Sequence, residues 1–213
     1  MPKPWVPHVV QQGDHVRKLA FRCGLDPETV WKHEKNAALA DKRKNMDLLH
    51  PGDILHLPPE PPPPVDVTAG SKNRYKAKAP RVNLKLKVAV TGKDLGNKPF
   101  EVHGCGGGEP LKGTTLADGE ISVDLPVWVR EVTVKVPDAG LVMPMRVGDL
   151  DPIEETSGQK QRLRNLGYLP ATGDIEPEQL TAALRAFQSD QKMNVSGQSD
   201  EETRAAIVKQ HGL

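Results

Sequence analysis

The segment Pro58-Pro59-Glu60-Pro61-Pro62-Pro63-Pro64 decides how this chain is organised. Proline fixes φ and has no backbone N–H, so the segment can form neither an α-helix nor an inner β-strand. We expect a polyproline II spacer, which at about 3.1 Å per residue would be roughly 20 Å long. A proline-rich ligand for a partner domain is the alternative interpretation. In both cases the segment marks a domain boundary, and the sequence predicts a multidomain α+β protein.

The composition fits several small domains rather than one large core. The 213 residues include 20 Pro and 19 Gly, and only 37% are apolar and 4% aromatic, so each core is expected to be modest. Basic and acidic side chains number 29 and 28, and the net charge of +1 gives no overall attraction to nucleic acid or anionic membranes. The basic run from Lys72 to Arg81 is interpreted as the end of a solvated linker over residues 59–80.

The sequence shows no recognisable targeting segment. No run approaches the ~18 consecutive apolar residues of a membrane span. Residues 1–8 contain neither an apolar stretch nor a small-residue cleavage site, so we expect no secretory signal. The expected protein is cytoplasmic before export by a signal-independent route, and acts at the cell wall, in the periplasm or in a secretion apparatus. Cys23 and Cys105 fall in different predicted domains, so both are expected to be reduced.

Residues 1–58 predict a small domain with the order strand–helix–helix–strand. Asp14 is placed to cap the first helix, and Gly24 follows that helix where a left-handed residue is needed. Asp26-Pro27-Glu28 is typical of the start of a second helix. The expected elements are a strand at 9–12, a helix at 15–23, a helix from Asp26 to near Asn36, a basic loop over 37–45 and, after a turn at Pro51-Gly52, a strand at 54–57.

Residues 81–150 predict a small antiparallel β-sandwich. Along 82–90, leucine and valine at alternate positions share one face, as in a strand with one buried side. Turn signals such as Asp118-Gly119 separate further short runs of the same kind. Several short strands at this spacing indicate a sandwich. The strands are expected at 82–90, 99–103, 111–115, 120–125, 131–136 and 141–147.

Residues 151–213 predict three helices with an internal repeat. Thr172-Gly173-Asp-Ile-Glu176-Pro-Glu178 is echoed 24 residues later by Ser196-Gly197-Gln-Ser-Asp200-Glu-Glu202. Each copy begins an amphipathic helix with acidic residues in its first turn. Gly167 is placed to end the helix that precedes both copies. The helices are expected at 155–166, 177–189 and 200–210.

The first domain resembles a LysM domain. The resemblance rests on His8-Val-Val-Gln-Gln-Gly13-Asp14 and on Leu49-His50-Pro51-Gly52-Asp53-Ile54-Leu55-His56-Leu57-Pro58. It implies antiparallel pairing of the two strands and a glycan-binding groove between the first strand–helix loop and the second helix–strand loop. The groove residues implied by the resemblance are Gln12, Gly13, Asp14, His15, Met46, Asp47, Leu48 and Leu49.

The helical domain resembles the small peptidoglycan-binding domain that is often attached to wall hydrolases. The resemblance rests on Gln161-Arg-Leu163-Arg-Asn-Leu166-Gly167-Tyr168-Leu169, Leu184-Arg-Ala-Phe187-Gln188, Ser196-Gly197 and Thr203. It implies a groove, suited to a stem peptide, with contacts from Tyr168 and Gln188. In the middle region, Pro99-Phe-Glu-Val and Gly113-Thr-Thr-Leu-Ala-Asp118-Gly119-Glu-Ile-Ser-Val resemble transthyretin-like or regulatory sandwich modules.

His103-Gly104-Cys105 is a candidate catalytic motif. It resembles the core of the Ser-His-Gly-Cys signature of L,D-transpeptidases, in which a nearby His activates a Cys thiolate. Val102 stands where that signature has Ser, and three glycines follow where it has an apolar residue and Arg. We therefore expect a glycine-rich hairpin loop and a protein that is not an enzyme. The sequence predicts no catalytic residue, no metal site and no cofactor.

These observations predict a non-enzymatic peptidoglycan-binding protein in which a β-sandwich spacer joins two terminal recognition modules. Two weak sites on one polymer gain affinity from their high effective concentration. The expected partner is the glycan or the stem peptide of the wall. The alternative is an accessory or adaptor protein of a contractile, type VI-like secretion system that docks on spike or effector proteins, which the combination of modules resembles. An L,D-transpeptidase-like enzyme is the third option.

Overall fold

The chain forms two compact units. The computed structural model describes residues 4–59, 68–72, 80–87 and 95–212, and the chain divides into the units Met1–Asp149 and Leu150–Leu213. The first unit contains one hydrophobic core in the N-terminal domain and another in the β-sandwich, and the second unit contains the core of the helical domain. The predicted boundaries at residues 58 and 80 fall inside the first unit and stay predictions.

Part of the sequence-based interpretation lies outside the described residues. This applies to the prolines beyond Pro59, to most of the basic run, to the end of the predicted strand 82–90 and to the turn at 92–94. For the residues that are described, six α-helices and antiparallel sheets confirm the predicted mixed α and β class. Among them, no helix is long and apolar enough to cross a membrane.

The N-terminal domain has the predicted order with one additional helix. Its strands β1 and β2 pair antiparallel, and its core is formed by Val16, Leu19, Val30 and Leu55. The elements are β1 (Val6–Val9), α1 (Val16–Arg22), α2 (Pro27–Trp31), a 3-10 turn (Glu34–Asn36), α3 (Ala37–Arg43) and β2 (Ile54–Leu57).

The junction between α1 and α2 follows the sequence signals. Gly24 has a left-handed φ of 68°, and its N–H donates to the Phe21 carbonyl oxygen at 3.0 Å. The Leu25 N–H donates to the Ala20 carbonyl oxygen at 2.9 Å, which completes a Schellman motif. Asp26 then caps α2 by accepting the Glu28 N–H at 2.8 Å. The predicted end of the first helix and start of the second are therefore confirmed, but the second helix ends at Trp31 rather than near Asn36.

The first strand lies earlier than predicted. It covers Val6–Val9 rather than 9–12, although it contains Pro7. A two-stranded sheet consists of edge strands only, and an edge strand tolerates proline. Residues 11–14 form a turn instead, in which the Asp14 N–H donates to the Gln11 carbonyl oxygen at 2.9 Å.

The prediction that Asp14 caps α1 is wrong. His15 occupies the N-cap position and makes no side-chain capping bond. The Asp14 carboxylate turns back to accept the Gln11 N–H at 3.2 Å and lies 3.1 Å from His8 Nε2 and 3.2 Å from Lys18 Nζ. Burial by itself would raise the pKa of Asp14, but these hydrogen bonds outweigh it and lower that pKa.

The expected basic loop after Asn36 is also wrong, because residues Ala37–Arg43 form helix α3. Its first turns are rich in alanine, the residue with the highest helix propensity. Leu39 is buried in the core of the domain, which anchors the helix. The Arg43 side chain is buried as well, whereas Lys42 and Lys44 point to solvent. The basic character of this segment is therefore only partly a surface property.

Arg43 forms a buried ion pair with Asp53, at the start of β2. Arg43 Nε donates to Asp53 Oδ2 at 2.7 Å and Nη2 donates to Oδ1 at 2.8 Å. The His50 N–H donates to the same carboxylate at 2.9 Å. Burial by itself would raise the pKa of Asp53, but the bonds from Arg43 and His50 lower it. The pair joins the end of α3 to the second strand.

The β-sandwich confirms the predicted strands. The strand β3 pairs with β6, and β5, β4, β7 and β8 form a second sheet in that order, with all neighbours antiparallel. Side chains of both sheets meet in one core that includes Phe100, Val102, Ile121, Leu125 and Val134. The strands are β3 (Arg81–Lys87), β4 (Pro99–His103), β5 (Leu111–Thr114), β6 (Glu120–Pro126), β7 (Glu131–Val136) and β8 (Leu141–Arg146).

The second unit consists of the three predicted helices, α4 (Thr156–Asn165), α5 (Pro177–Asp190) and α6 (Glu201–His211). They enclose a core that includes Leu163, Leu184, Phe187 and Ile207. Glu176 caps α5 in a capping box with Gln179, and Asp200 caps α6 by accepting the Thr203 N–H at 2.8 Å. Each copy of the internal repeat therefore begins a helix, as predicted.

Arg162 is a fully buried cation inside the second unit. Its Nη1 donates to the Asp151 carbonyl oxygen at 2.7 Å and to the Gly158 carbonyl oxygen at 3.0 Å. Burial lowers the pKa of Arg162 to about 10. The side chain ties the segment before α4 to the helix itself.

We expect Arg43→Met to lower the free energy of unfolding of the first unit by about 3–5 kcal/mol, because it leaves the Asp53 carboxylate buried without its main partner. Since the folded pKa of Asp53 is lowered, the stabilisation is present above the ordinary aspartate pKa and is lost as pH falls through the lower folded value. Chemical denaturation followed by tryptophan fluorescence at several pH values measures both effects.

Lys42→Met is the matched control for this experiment. Lys42 Nζ lies 3.5 Å from Asp53 Oδ1, but its side chain is exposed. We expect it to change the free energy of unfolding by less than about 0.5 kcal/mol. Equal effects of the two substitutions would contradict the assignment of the buried pair as a stabilising contact.

Candidate functional site

The structure brings together the two loops that the LysM resemblance implies as a groove. The first loop precedes α1, and the second connects α3 to β2. The Val16 N–H donates to the Met46 carbonyl oxygen at 3.0 Å, and Arg17 Nε donates to Asp47 Oδ2 at 2.8 Å. The second loop therefore lies against the start of α1, and its Asp47 is a neighbour of His15 from the first loop.

Half of the implied groove residues are buried. Leu49 belongs to the hydrophobic core of the N-terminal domain, so its side chain has a packing role. Gln12 is exposed, Met46, Asp47 and Leu48 are half-buried, and Gly13, Asp14, His15 and Leu49 are buried.

The polar side chains of the two loops contact one another. His15 Nδ1 lies 3.5 Å from Asp47 Oδ1, and Arg17 binds the same carboxylate. Burial by itself would raise the pKa of Asp47, but the contact with His15 and the hydrogen bonds from Arg17 lower it. Asp47 is thus held as a carboxylate that fixes the first loop against the second.

The β-sandwich contacts the first of these loops directly. Gln12 Nε2 donates to the Asp149 carbonyl oxygen at 2.8 Å, and Arg130 Nη2 donates to the Gln12 carbonyl oxygen at 3.0 Å. Arg130 lies in the loop between β6 and β7, and Asp149 follows β8. Two separate parts of the sandwich therefore bind the backbone and side chain of one residue in the N-terminal domain.

Gly13 allows the sandwich to approach this closely. Its φ is 80°, and a Cβ at this position would overlap the Arg130 guanidinium and lie 2.7 Å from Asp149 Oδ1. On the same side, the place of a Cβ on Gly148 is 3.4 Å from His15 Cδ2. The face implied for glycan binding at Gly13 and His15 is thus covered by the protein's own β-sandwich.

An aromatic contact extends the same junction. The rings of Phe21, in α1, and Trp128, in the loop between β6 and β7, have centroids 5.6 Å apart and an interplanar angle of 31°. Both side chains stay partly exposed. Trp128 and Arg130 therefore fix one short loop to the N-terminal domain at two points.

Sequence reasoning missed these junction residues. The contacts of Gln12 with Arg130 and Asp149 join residues 118 and 137 positions apart. Helical and strand periodicities report on neighbours along the chain, so neither could reveal such a pairing. A charged residue in a short loop between two sheets, such as Arg130, carries no local signal of its own.

In the helical domain, Tyr168 lies at the surface edge of the core. Its hydroxyl donates to Asp190 Oδ2 at 2.9 Å, and its ring contacts Phe187 edge-on with centroids 5.4 Å apart. Burial raises the pKa of the Tyr168 hydroxyl, and the neighbouring Asp190 raises it further. The half-buried ring and its polar tip can offer a ligand both an apolar edge and a hydrogen-bonding pair.

Gln188 has a different position from the one that the resemblance implies. Its side chain is fully buried, and Nε2 donates to Thr203 Oγ1 at 2.9 Å and to the Gln198 carbonyl oxygen at 3.0 Å. Its Oε1 accepts the Gly197 N–H at 2.8 Å. The side chain has no exposed surface for a ligand, which corrects the expected groove contact. It holds the loop between α5 and α6 instead.

In the His-Gly-Cys motif, the side chains of His103 and Cys105 contact different partners. His103 Nε2 lies 3.0 Å from Glu101 Oε2, while Cys105 Sγ donates to the Val102 carbonyl oxygen at 3.4 Å. Burial raises the pKa of the Cys105 thiol, which disfavours the thiolate that nucleophilic chemistry needs. In the part of the chain that the structure describes, no group of three His, Cys, Asp or Glu side chains could hold a metal ion.

Comparison with known proteins supports the helical domain. Residues 159–207 match the family model described as "Putative peptidoglycan binding domain". The matched range covers most of α4, all of α5 and the larger part of α6, and it includes Tyr168, Phe187 and Thr203. No curated protein and no solved structure matches the chain.

The match assigns a class to the C-terminal part of the chain: this part is similar to peptidoglycan-binding domains. It supports cell-wall binding in general and peptidoglycan as a partner. The LysM resemblance of the N-terminal domain stays a prediction, as does the function of the first unit.

We expect Gln188→Ala to lower the free energy of unfolding of the helical domain by about 2–4 kcal/mol, because the Gly197 N–H and the Thr203 hydroxyl lose a buried partner and a cavity remains. Gln210→Ala, at an exposed position of α6, is the control and should change it by less than about 0.5 kcal/mol. Thermal unfolding measured by calorimetry compares the two variants. A free energy of unfolding that Gln188→Ala leaves unchanged would refute the structural role of Gln188.

Proposed function

We propose that this protein is a non-enzymatic peptidoglycan-binding protein that contacts the wall through its helical domain. The observation that carries the proposal is the family match over residues 159–207. Tyr168 and Asp190 are the suggested contact residues, because they combine a half-buried ring with a hydrogen-bonded polar pair at the surface. A stem peptide, with methyl groups for the ring and amide N–H donors for the Asp190 carboxylate, has the chemistry to use both.

The first unit has a supporting role in this proposal. Its N-terminal domain, LysM-like in our interpretation, has the order strand–helices–strand with an antiparallel strand pair. Because the β-sandwich covers Gly13 and His15, the glycan groove implied by the resemblance is not open as a whole. We therefore assign the main wall contact to the helical domain rather than to two equal ends.

A non-enzymatic role is supported by the state of Cys105. A transpeptidase-like mechanism needs a thiolate activated by an adjacent imidazole. Here burial raises the pKa of the Cys105 thiol, and His103 is engaged with Glu101. The third option, an L,D-transpeptidase-like enzyme, therefore has no geometric support in this motif.

A second candidate function is favoured by an exposed apolar strip on the N-terminal domain. Val9 and Ile54 are cross-strand partners in the β1–β2 sheet, and they are 60% and 52% exposed. Such a strip suits a protein partner, as in an adaptor of a contractile, type VI-like secretion apparatus. Co-purification of the chain with a purified spike protein, and its loss in Val9→Asp/Ile54→Asp, would support this role.

The main proposal is tested by retention on purified sacculi. We expect the full chain to sediment with sacculi, and Tyr168→Ala to weaken binding about tenfold, as for an aromatic residue at the centre of an interface. Tyr168→Phe keeps the ring contact with Phe187, so its binding to sacculi should weaken less than that of Tyr168→Ala. Gln210→Ala should bind as the unchanged protein does. Circular dichroism of each variant checks the fold. Failure of the full chain to sediment would overturn the proposal.

A further inference from the structure

The first unit contains a polar cleft where the N-terminal domain meets the β-sandwich. It encloses about 560 Å³ and is lined by Gln12, Arg130, Glu131, Arg146 and Asp149. Apart from Gln12, none of these residues belongs to the groove that the LysM resemblance implies. The cleft exists only because the sandwich and the first loop are joined at Gln12 and Gly13.

The cleft continues into a second hollow of about 340 Å³. The two share Glu131 and Arg146. The second hollow lies on the outer sheet face formed by His103, Thr133 and Pro144 together with Glu131 and Arg146, whereas the side chains of Val132 and Met145 pack against the core of the sandwich. The cleft and the hollow, which share two charged residues, form one extended depression on the first unit.

The two arginines of the cleft differ in how firmly they are held. Arg130 donates to the Gln12 carbonyl oxygen at 3.0 Å, which fixes its guanidinium at the back of the cleft. Arg146 is 73% exposed and lies 3.8 Å from both Glu131 Oε1 and Asp149 Oδ2, too far for hydrogen bonds. These two contacts are long, exposed ion pairs, which are weak. A ligand carboxylate can replace them, because guanidinium groups bind carboxylates in a bidentate manner.

The cleft also offers negative charge. Glu131 is 77% exposed, and its Oε1 forms only a long ion pair, at 3.8 Å, with Arg146 Nε, so this carboxylate can accept an ammonium group. Asp149 is mostly buried and lies 3.4 Å from Arg130 Nη2, which gives it a structural role at the back. A ligand that carries a carboxylate and an ammonium on one short backbone would match Arg146 and Glu131 together.

The lining favours a peptide over a sugar. Sugar rings are commonly bound against aromatic faces, but the described lining residues of both hollows include no Phe, Tyr or Trp. The exposed ring of Pro144 instead offers an apolar contact to a small side chain such as the methyl group of alanine. Stem peptides of peptidoglycan carry alanine methyl groups and free carboxylates, and those built on a diamino acid also carry an ammonium group.

We propose that this cleft is a second wall-binding site, which takes the free, zwitterionic stem peptide of peptidoglycan, with Arg146 binding a ligand carboxylate and Glu131 its ammonium group. The inference rests on the proposed peptidoglycan-binding function, but it places a peptide site in the first unit, outside the residues that match the wall-binding family. Arg130 and Gln12 act as positioning residues that hold the cleft open.

The experiment is a titration of the full chain, labelled with ¹⁵N, with the synthetic tetrapeptide L-Ala-γ-D-Glu-meso-diaminopimelyl-D-Ala. We expect amide shifts at Arg130, Glu131 and Arg146, and at least tenfold weaker binding at the cleft for Arg146→Gln. Arg146→Lys keeps the positive charge without the planar donor pair, and its affinity for the peptide should lie between those of the unchanged protein and Arg146→Gln. The same peptide with its carboxyl groups amidated should not shift the cleft amides.

Lys85→Gln is the matched control, because it removes one positive charge from an exposed position on β3 and should leave the titration unchanged. If Lys85→Gln and Arg146→Gln weaken peptide binding equally, the effect depends only on net charge, and the proposal is overturned. Shifts confined to residues 159–207, or no shifts while the chain still sediments with sacculi, would overturn the cleft but leave the proposed function intact. Shifts at the cleft amides in a chain that does not sediment with sacculi would support the cleft as a peptide site but overturn the proposed function.

Discussion

The missing side chain at Gly13 is the constraint on which the first unit depends. Because no Cβ is present there, the Arg130 guanidinium can lie against the backbone of the loop and bind the Gln12 carbonyl oxygen. The Gln12 side chain then reaches Asp149, and the aromatic contact between Phe21 and Trp128 closes the same junction. Through this contact two small domains, each with a modest core, become parts of one compact unit.

Because of this junction, the middle domain has a role beyond that of a spacer. A sandwich that only separates two binding ends would need no specific contact with either. Here the loop between β6 and β7 covers part of one implied site and, with Arg146 from the end of β8, forms the wall of another depression. Binding surfaces are thereby produced by the contact between domains, where concave sites commonly occur.

Local signals in the sequence were sufficient for most of the fold. Alternation along residues 82–87 identified β3, and the Gly24 and Asp26-Pro27 signals marked the helix ends correctly. The errors arose where tertiary contacts compete with local preference. Three basic residues near the end of the segment predict a loop over residues 37–45, but burial of Leu39 and the ion pair of Arg43 with Asp53 stabilise a helix over Ala37–Arg43.

The candidate sites were less predictable than the fold for the same reason. Gln188 belongs to a family-like motif, yet its role is set by the loop residues that it binds, Gly197 and Gln198. Arg130 lies in the loop between the two sheets and Arg146 ends β8, and nothing near them in sequence indicates that they meet Gln12. A motif reports which residues are present, whereas a binding site depends on which distant segments approach one another.

The contact between Phe21 and Trp128 also has a practical consequence. An indole that is partly exposed and packed on a ring from another domain has an environment that depends on that packing. Its emission therefore differs between the joined and the separated arrangement of the two domains. With Trp5 and Trp31 both placed in the N-terminal domain, Trp128 gives the protein an intrinsic optical reporter of its own internal assembly.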